Sequence, residues 1–173
     1  GVVAEWNLKT GEAKAVAQSP SPIFAMRLVP ERNMLLLGLQ SGDVVFADLE
    51  SKKILRRVQL HKKSIFDFLL LPDGQHFWAC GEDGAISIWR LDTLDHLHYQ
   101  KLSPNSIRTM AIAPDGESIA IGDSTQQIRI VDGGLNEKHI WRAHDNSIFR
   151  LLYSPDGKHL LSTGRDAHIK SWD

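Results

Sequence analysis

Apolar residues along this chain fall into short runs, each closed by turn residues. One set of four runs reads Ile65–Leu71, His76–Cys80, Ala85–Trp89 and His96–Leu102. Pro72-Asp73-Gly74 separates the first two, and Glu82-Asp83-Gly84 separates the second and third. Both are turn chemistry: proline presets φ, and glycine accepts positive φ without a steric cost. The runs are rich in Ile, Val, Phe and Trp and show no sustained helical period, so each is predicted to be a strand. Their patterns differ. The first two are nearly continuous in apolar residues, as in Ile148–Tyr153 and Met34–Leu37. The third alternates, with Ile86 and Ile88 against Ser87, and Ile128 and Ile130 against Arg129. The fourth is polar, as in Lys52–Gln59 and Glu137–Arg142. Burial is therefore expected to fall from the first strand of a set to the fourth.

The sets repeat. Pro72-Asp73-Gly74 recurs as Pro114-Asp115-Gly116 and Pro155-Asp156-Gly157, with a degenerate copy at Pro30-Glu31-Arg32. An isoleucine opens each first run, at Ile23, Ile65, Ile107 and Ile148. The third run ends at Trp6, Ala47, Trp89, Val131 and Trp172. Three markers holding one phase define a repeat of four-stranded antiparallel blades, the plan of an all-β propeller. Residues 1–18 are expected to supply a partial blade; 21–60, 61–102 and 103–142 full blades; and 144–173 a blade lacking its fourth strand. A seven-blade ring of such repeats would need about 300 residues, so residues 1–173 are expected to be a propeller segment of about four blades from a larger ring.

Composition narrows the picture. Hydrophobic content is 42% against 24% charged, as in a globular chain. Lys plus Arg number 20 and Asp plus Glu 21, which carries no nucleic-acid signal. No apolar run reaches the roughly 18 residues of a membrane segment. The single cysteine, Cys80, lies among Phe77, Trp78 and Ala79 and is expected to be buried and inert; a cytoplasmic location is compatible with it.

The stretch from His144 through Ser154-Pro-Asp-Gly157, Ser162-Thr163-Gly164-Arg165-Asp166 and Ser171-Trp172-Asp173 resembles the WD40 (WD-repeat) propeller family. The resemblance covers nearly the whole chain. It implies a hydrogen-bonded structural tetrad of His144, Ser162, Asp166 and Trp172. The second blade keeps His61, Asp83 and Trp89, but Ala79 replaces the hydroxyl. The corresponding positions are Ser19, Leu37, Ser41 and Ala47 in the first blade, and Ser103, Ile121, Thr125 and Val131 in the third. Those two blades lack the tetrad and are expected to rely on burial.

His144 with Asp166, and His61 with Asp83, have the same spacing, which favours scaffold over a catalytic dyad. There is no Gly-x-Ser-x-Gly elbow, P-loop or His-Glu-x-x-His motif. No enzyme activity, catalytic residue, metal or cofactor is expected. His96 and His98 share a strand face but lack a third ligand. Lys52, Lys53, Arg56 and Arg57 read as a solvated outer strand, with an anionic partner as the minority alternative.

The family resemblance further implies a noncatalytic scaffold that binds a protein or peptide, or another domain of its parent chain, around the mouth of the propeller. Two positions per blade point there: Phe24, Phe66, Arg108 and Phe149, directly after the repeated isoleucine, and Gln40, Glu82, Ser124 and Arg165, before the tetrad Asp position. Core packing is the competing reading of the phenylalanines. The alternative function is a propeller domain attached to an enzyme whose active site lies outside this segment; a purely architectural segment is a third.

Overall fold

The computed structural model describes residues 1–173. They form seventeen strands, β1 to β17, and one 3-10 turn, in two compact units, Gly1–Ile65 and Phe66–Asp173. The fold class is all-β, built of antiparallel propeller blades.

In the first unit, β1 (Val2–Trp6) and β2 (Ala13–Gln18) form a hairpin, and β3 (Ile23–Val29), β4 (Met34–Leu39), β5 (Asp43–Asp48) and β6 (Ile54–Gln59) form a four-stranded sheet in sequence order. Leu35, Leu37 and Leu39 of β4 pack with Val45 and Ala47 of β5 and with Ala17 of β2.

In the second unit, β7 (Ile65–Leu70), β8 (His76–Gly81), β9 (Ala85–Arg90) and β10 (His96–Lys101) make one sheet. The next comprises β11 (Ile107–Ile112), β12 (Ile119–Asp123), β13 (Gln127–Val131) and β14 (Glu137–Arg142). The last is three-stranded: β15 (Ile148–Tyr153), β16 (Leu160–Gly164) and β17 (Ile169–Trp172). One cluster joins the first two sheets through Trp78, Ile86, Ile107 and Ile121; another joins the last two through Ala120, Ile128, Ile148 and Leu151.

The Pro-Asp-Gly turns place Gly74, Gly116 and Gly157 at φ of 64°, 76° and 72°. In the degenerate copy, Pro30–Arg32 forms the 3-10 turn and Asn33 takes the left-handed conformation instead, a role asparagine tolerates better than other non-glycine residues.

The burial order differs from the sequence expectation. The second strand is the deepest: β4 and β12 are buried throughout, and β8 all but its first residue. The first strand is less protected in the blades of β3 and β15, whereas β7 and β11 keep four of their six residues buried. Phe24, Met26 and Leu28 of β3 and Phe149 and Leu152 of β15 are exposed. The reason is topological. The second strand has a ladder partner on each side, whereas the first is an edge of its sheet. The fourth strands β6, β10 and β14 are largely exposed, in line with their polar sequences.

Burial does not act alone in the first blade. Asp43 is 3% exposed; its carboxylate accepts two bonds from Arg57, Nε at 2.9 Å and Nη2 at 3.0 Å, and one from the Ser41 hydroxyl. The Arg57 bond is the main cause that holds Asp43 below the ordinary value of 3.8. A carboxylate whose folded value is depressed contributes stability above its unfolded value and loses it as the pH falls through the folded one. Acid titration below pH 3.8 should therefore weaken the first unit, and Asp43→Asn should flatten that limb of a stability-versus-pH curve. An unchanged acid limb in the variant would count against the pair.

Candidate functional site

Two features recur from blade to blade: a polar anchor inside the sheet, and a bulge that aims a side chain out of it. In the last blade, His144 follows β14 and is fully buried, facing β16 and the β16–β17 turn. Its Nδ1 lies 2.9 Å from both Asp166 carboxylate oxygens, and its Nε2 lies 2.8 Å from Ser162 Oγ. A carboxylate only accepts, so in the neutral ring Nδ1 carries the proton and Nε2 accepts from the serine hydroxyl. Trp172 Nε1 donates to the same Ser162 Oγ at 2.9 Å. The Asp166 carboxylate also accepts the backbone N–H of Asp145 at 3.0 Å, the leading cause that holds its carboxyl far below the usual range.

The second blade reaches a similar end by a different route. Trp89 Nε1 donates 2.7 Å to Ser87 Oγ, a fully buried hydroxyl. Ser87 stands directly opposite Ala79 in the β8–β9 ladder, as Lys170 stands opposite Ser162 in the β16–β17 ladder. The hydroxyl has crossed from the second strand to the third. Asp83, in the same blade, accepts from Tyr99 Oη at 2.9 Å, and burial, followed by this bond, pushes the Tyr99 phenol up to about 12. Ser87→Ala should cost about 1–3 kcal/mol by leaving the buried indole N–H unsatisfied. Adding Ala79→Ser should recover part of that cost; denaturant titration of the three chains checks it, and no recovery would refute the crossing.

The third blade is anchored by Asp123, which is also buried. It accepts from Ser103 Oγ at 2.9 Å, Thr125 Oγ1 at 2.6 Å and the Thr125 and Gln127 backbone N–H groups. Reliance on burial alone is thus corrected for blades one and three. Asp43 lies two residues after the tetrad Asp position occupied by Ser41, and Asp123 two before the one occupied by Thr125. The carboxylate has slid along the hairpin in opposite directions, so a comparison at fixed spacing misses both.

The residues after the repeated isoleucines occupy irregularities of the ladder. Pairing passes from Ile23 to Ala25, from Ile107 to Thr109 and from Ile148 to Arg150, so Phe24, Arg108 and Phe149 are skipped. Such bulges bend a strand and re-aim a side chain. Phe24 and Phe149 are 53% and 48% exposed, which sets them apart from the core; Phe66 and Arg108 are half-buried. In the second unit the Arg108 guanidinium lies 5.1 Å from the Phe66 ring centre and 5.9 Å from that of Phe149. Both distances are within cation–π range. No protein acceptor reaches the buried Arg108 Nε.

A residue absent from the sequence reasoning holds this stack in place. Asp67, beside Phe66, accepts the Met110 backbone N–H at 3.0 Å and so ties β7 to the edge of β11 near Arg108. Arg150 lies 3.9 Å from the same carboxylate. An aspartate within an apolar strand run was the available signal.

Gln40, Glu82, Ser124 and Arg165 each open the turn between the second and third strands of a blade. The backbone N–H groups of Gln40, Ser124 and Arg165 donate to Pro22, Ser106 and Ser147, each just before a repeated isoleucine. The same turns therefore position both sets of candidate residues. His96 packs edge-on against Trp89, and His98 faces Gln100. Arg57 of the basic cluster is committed to Asp43. Cys80 is buried, and burial raises its thiol well above the usual range. No helix is long and apolar enough to cross a membrane.

Repeated blades with recurring polar anchors define a propeller-repeat chain. The family model "WD domain, G-beta repeat" matches residues 52–90 and 135–173, so WD40 repeats are present in those two segments. Those two segments contain His61, Asp83 and Trp89, and His144, Asp166 and Trp172; Asp43 and Asp123 lie outside them. The chain is 24% identical over 170 residues to Protein groucho of Drosophila melanogaster, an alignment covering 96% of this chain and 23% of that one. It is 22% identical over 171 residues to Transcription factor unc-37 of Caenorhabditis elegans, covering 98% of this chain and 28% of that one. The chain thus spans about a quarter of the length of these curated relatives.

Proposed function

We propose that this chain is a noncatalytic interaction scaffold, and that its second unit receives a protein or peptide on the surface made by Phe66, Arg108 and Phe149. The observation that carries this reading is the arginine held between two phenylalanine rings, one of them half exposed. An ion pair buried in a carboxylate would serve only the fold. A guanidinium held by rings keeps donors for an incoming acceptor, and Arg with aromatic neighbours is typical of binding hot spots. The exposed Arg165, which shares its repeat with Phe149, adds positive charge, which favours a partner with acidic and apolar side chains. The relative named as a transcription factor supports a partner in transcription, and a nuclear compartment in place of the cytoplasmic one compatible with the sequence.

A randomised peptide library displayed on phage tests this reading. The wild-type chain should enrich peptides that combine an acidic residue with an aromatic or aliphatic one, and Arg108→Ala should fail to retain them. Absence of enrichment, or equal retention by the variant, would refute it.

A further inference from the structure

The segment joining β2 to β3 reads Ser19-Pro20-Ser21-Pro22, two consecutive Ser-Pro pairs. Two further pairs, Ser103-Pro104 and Ser154-Pro155, occur elsewhere, and the four serines stand in different chemical situations. The Ser103 hydroxyl is 2% exposed and donates to Asp123 at 2.9 Å. The Ser154 hydroxyl donates to Asp156 at 2.6 Å and accepts from the His159 backbone N–H at 3.0 Å inside a tight turn. Both hydroxyl protons are committed.

Ser19 and Ser21 differ. Like Ser154, each is half-buried and followed by an exposed proline, so the difference lies in their hydroxyls. Their hydroxyl oxygens only accept: Ser19 Oγ from the Ser21 backbone N–H at 3.2 Å, and Ser21 Oγ from the Ser41 backbone N–H at 3.3 Å. Neither donates its proton within the protein. The prolines disfavour the helical region for the residue before them, and the segment lies outside every strand, with a bend at Pro20 and Ser21. They also remove two N–H groups from the segment, so little pairing must break for it to be engaged.

We infer that Ser19-Pro20-Ser21-Pro22 is a site for proline-directed serine phosphorylation. In the reaction the serine Oγ attacks the γ-phosphorus of ATP. The Oγ–P bond forms, the bond from that phosphorus to the bridging oxygen breaks, ADP leaves, and the hydroxyl proton passes to a base of the kinase. A phosphoserine carries about −1.5 to −2 charges and three strong acceptors. On Ser21 it strengthens the existing bond from the Ser41 N–H. It also places negative charge one residue before Pro22, whose carbonyl accepts the Gln40 N–H at 2.9 Å, and three residues from the exposed Phe24. The site does not depend on the partner-face reading.

The test is phosphorylation of the natively folded chain by a proline-directed kinase with ATP, followed by mass-spectrometric assignment of the modified serines. Phosphate on Ser19 or Ser21, lost in the double variant Ser19→Ala, Ser21→Ala, is the expected result, with Ser103 and Ser154 unmodified. A parallel reaction on urea-unfolded chain exposes all four pairs and shows that the kinase accepts them. Phosphate confined to Ser103 or Ser154 in the folded chain, or incorporation in the unfolded chain only, would overturn the inference. Neither readout involves the binding partner, so failure here leaves the partner face untouched, and failure of the partner face leaves this site standing.

Discussion

Trp89→Ala should lower the stability of the chain by about 3–5 kcal/mol. Trp89 is fully buried. Its ring stacks on Phe77 with centres 5.9 Å apart and planes 8° from parallel, and His96 meets it edge-on at 5.8 Å. Removing the indole opens a cavity under both neighbours and removes the N–H that the Ser87 hydroxyl accepts. A loss of this size is a large part of the about 5–15 kcal/mol that folded domains possess. For a chain of this length it should appear as a Tm lowered by about 10 °C or more. Trp172 makes the equivalent hydroxyl bond but is only half-buried, so Trp172→Ala should cost less. Thermal melts followed by circular dichroism decide the point; equal losses for the two tryptophans would mean that burial is not what separates them.

Arg108→Ala carries the second large effect, and it falls on binding. Hot-spot residues cost about 2 kcal/mol or more when truncated, so affinity for a peptide selected on the wild-type chain should fall about 30-fold. Stability should change little, because Arg108 sits in a bulge outside the ladder and forms no ion pair there. Arg108→Lys sharpens the test. Lysine keeps the charge but not the planar group that lies between two rings, and should recover only a minor part of the affinity. Recovery to the wild-type value would mean that charge alone matters.

Much of the fold was legible because it repeats. Isoleucines at Ile23, Ile65, Ile107 and Ile148 and the Pro-Asp-Gly turns fixed strand positions to within a residue or two. The burial order was not, since a continuous apolar run looks the same on an edge strand as on an inner one. Met26 and Leu28 read as core by composition, yet their strand is an edge and they are exposed. The polar anchors were legible only where the spacing was kept. Ser87, Asp43 and Asp123 do equivalent work from shifted positions, visible only once the ladders place Ser87 opposite Ala79 and bring Asp43 to Arg57. The bulges at Phe24, Arg108 and Phe149 leave no mark on composition, and neither does the juxtaposition of Arg108 with two rings from neighbouring blades.

The claim that the Phe66–Arg108–Phe149 surface receives the partner is tested most directly by nuclear magnetic resonance of the chain titrated with a selected peptide. The account predicts that the largest shifts fall on the Arg108 side-chain Nε–H and on the amides of Phe66 and Phe149. Shifts confined to the outer strands β10 and β14, with the Arg108 Nε–H resonance unmoved at saturation, would contradict it.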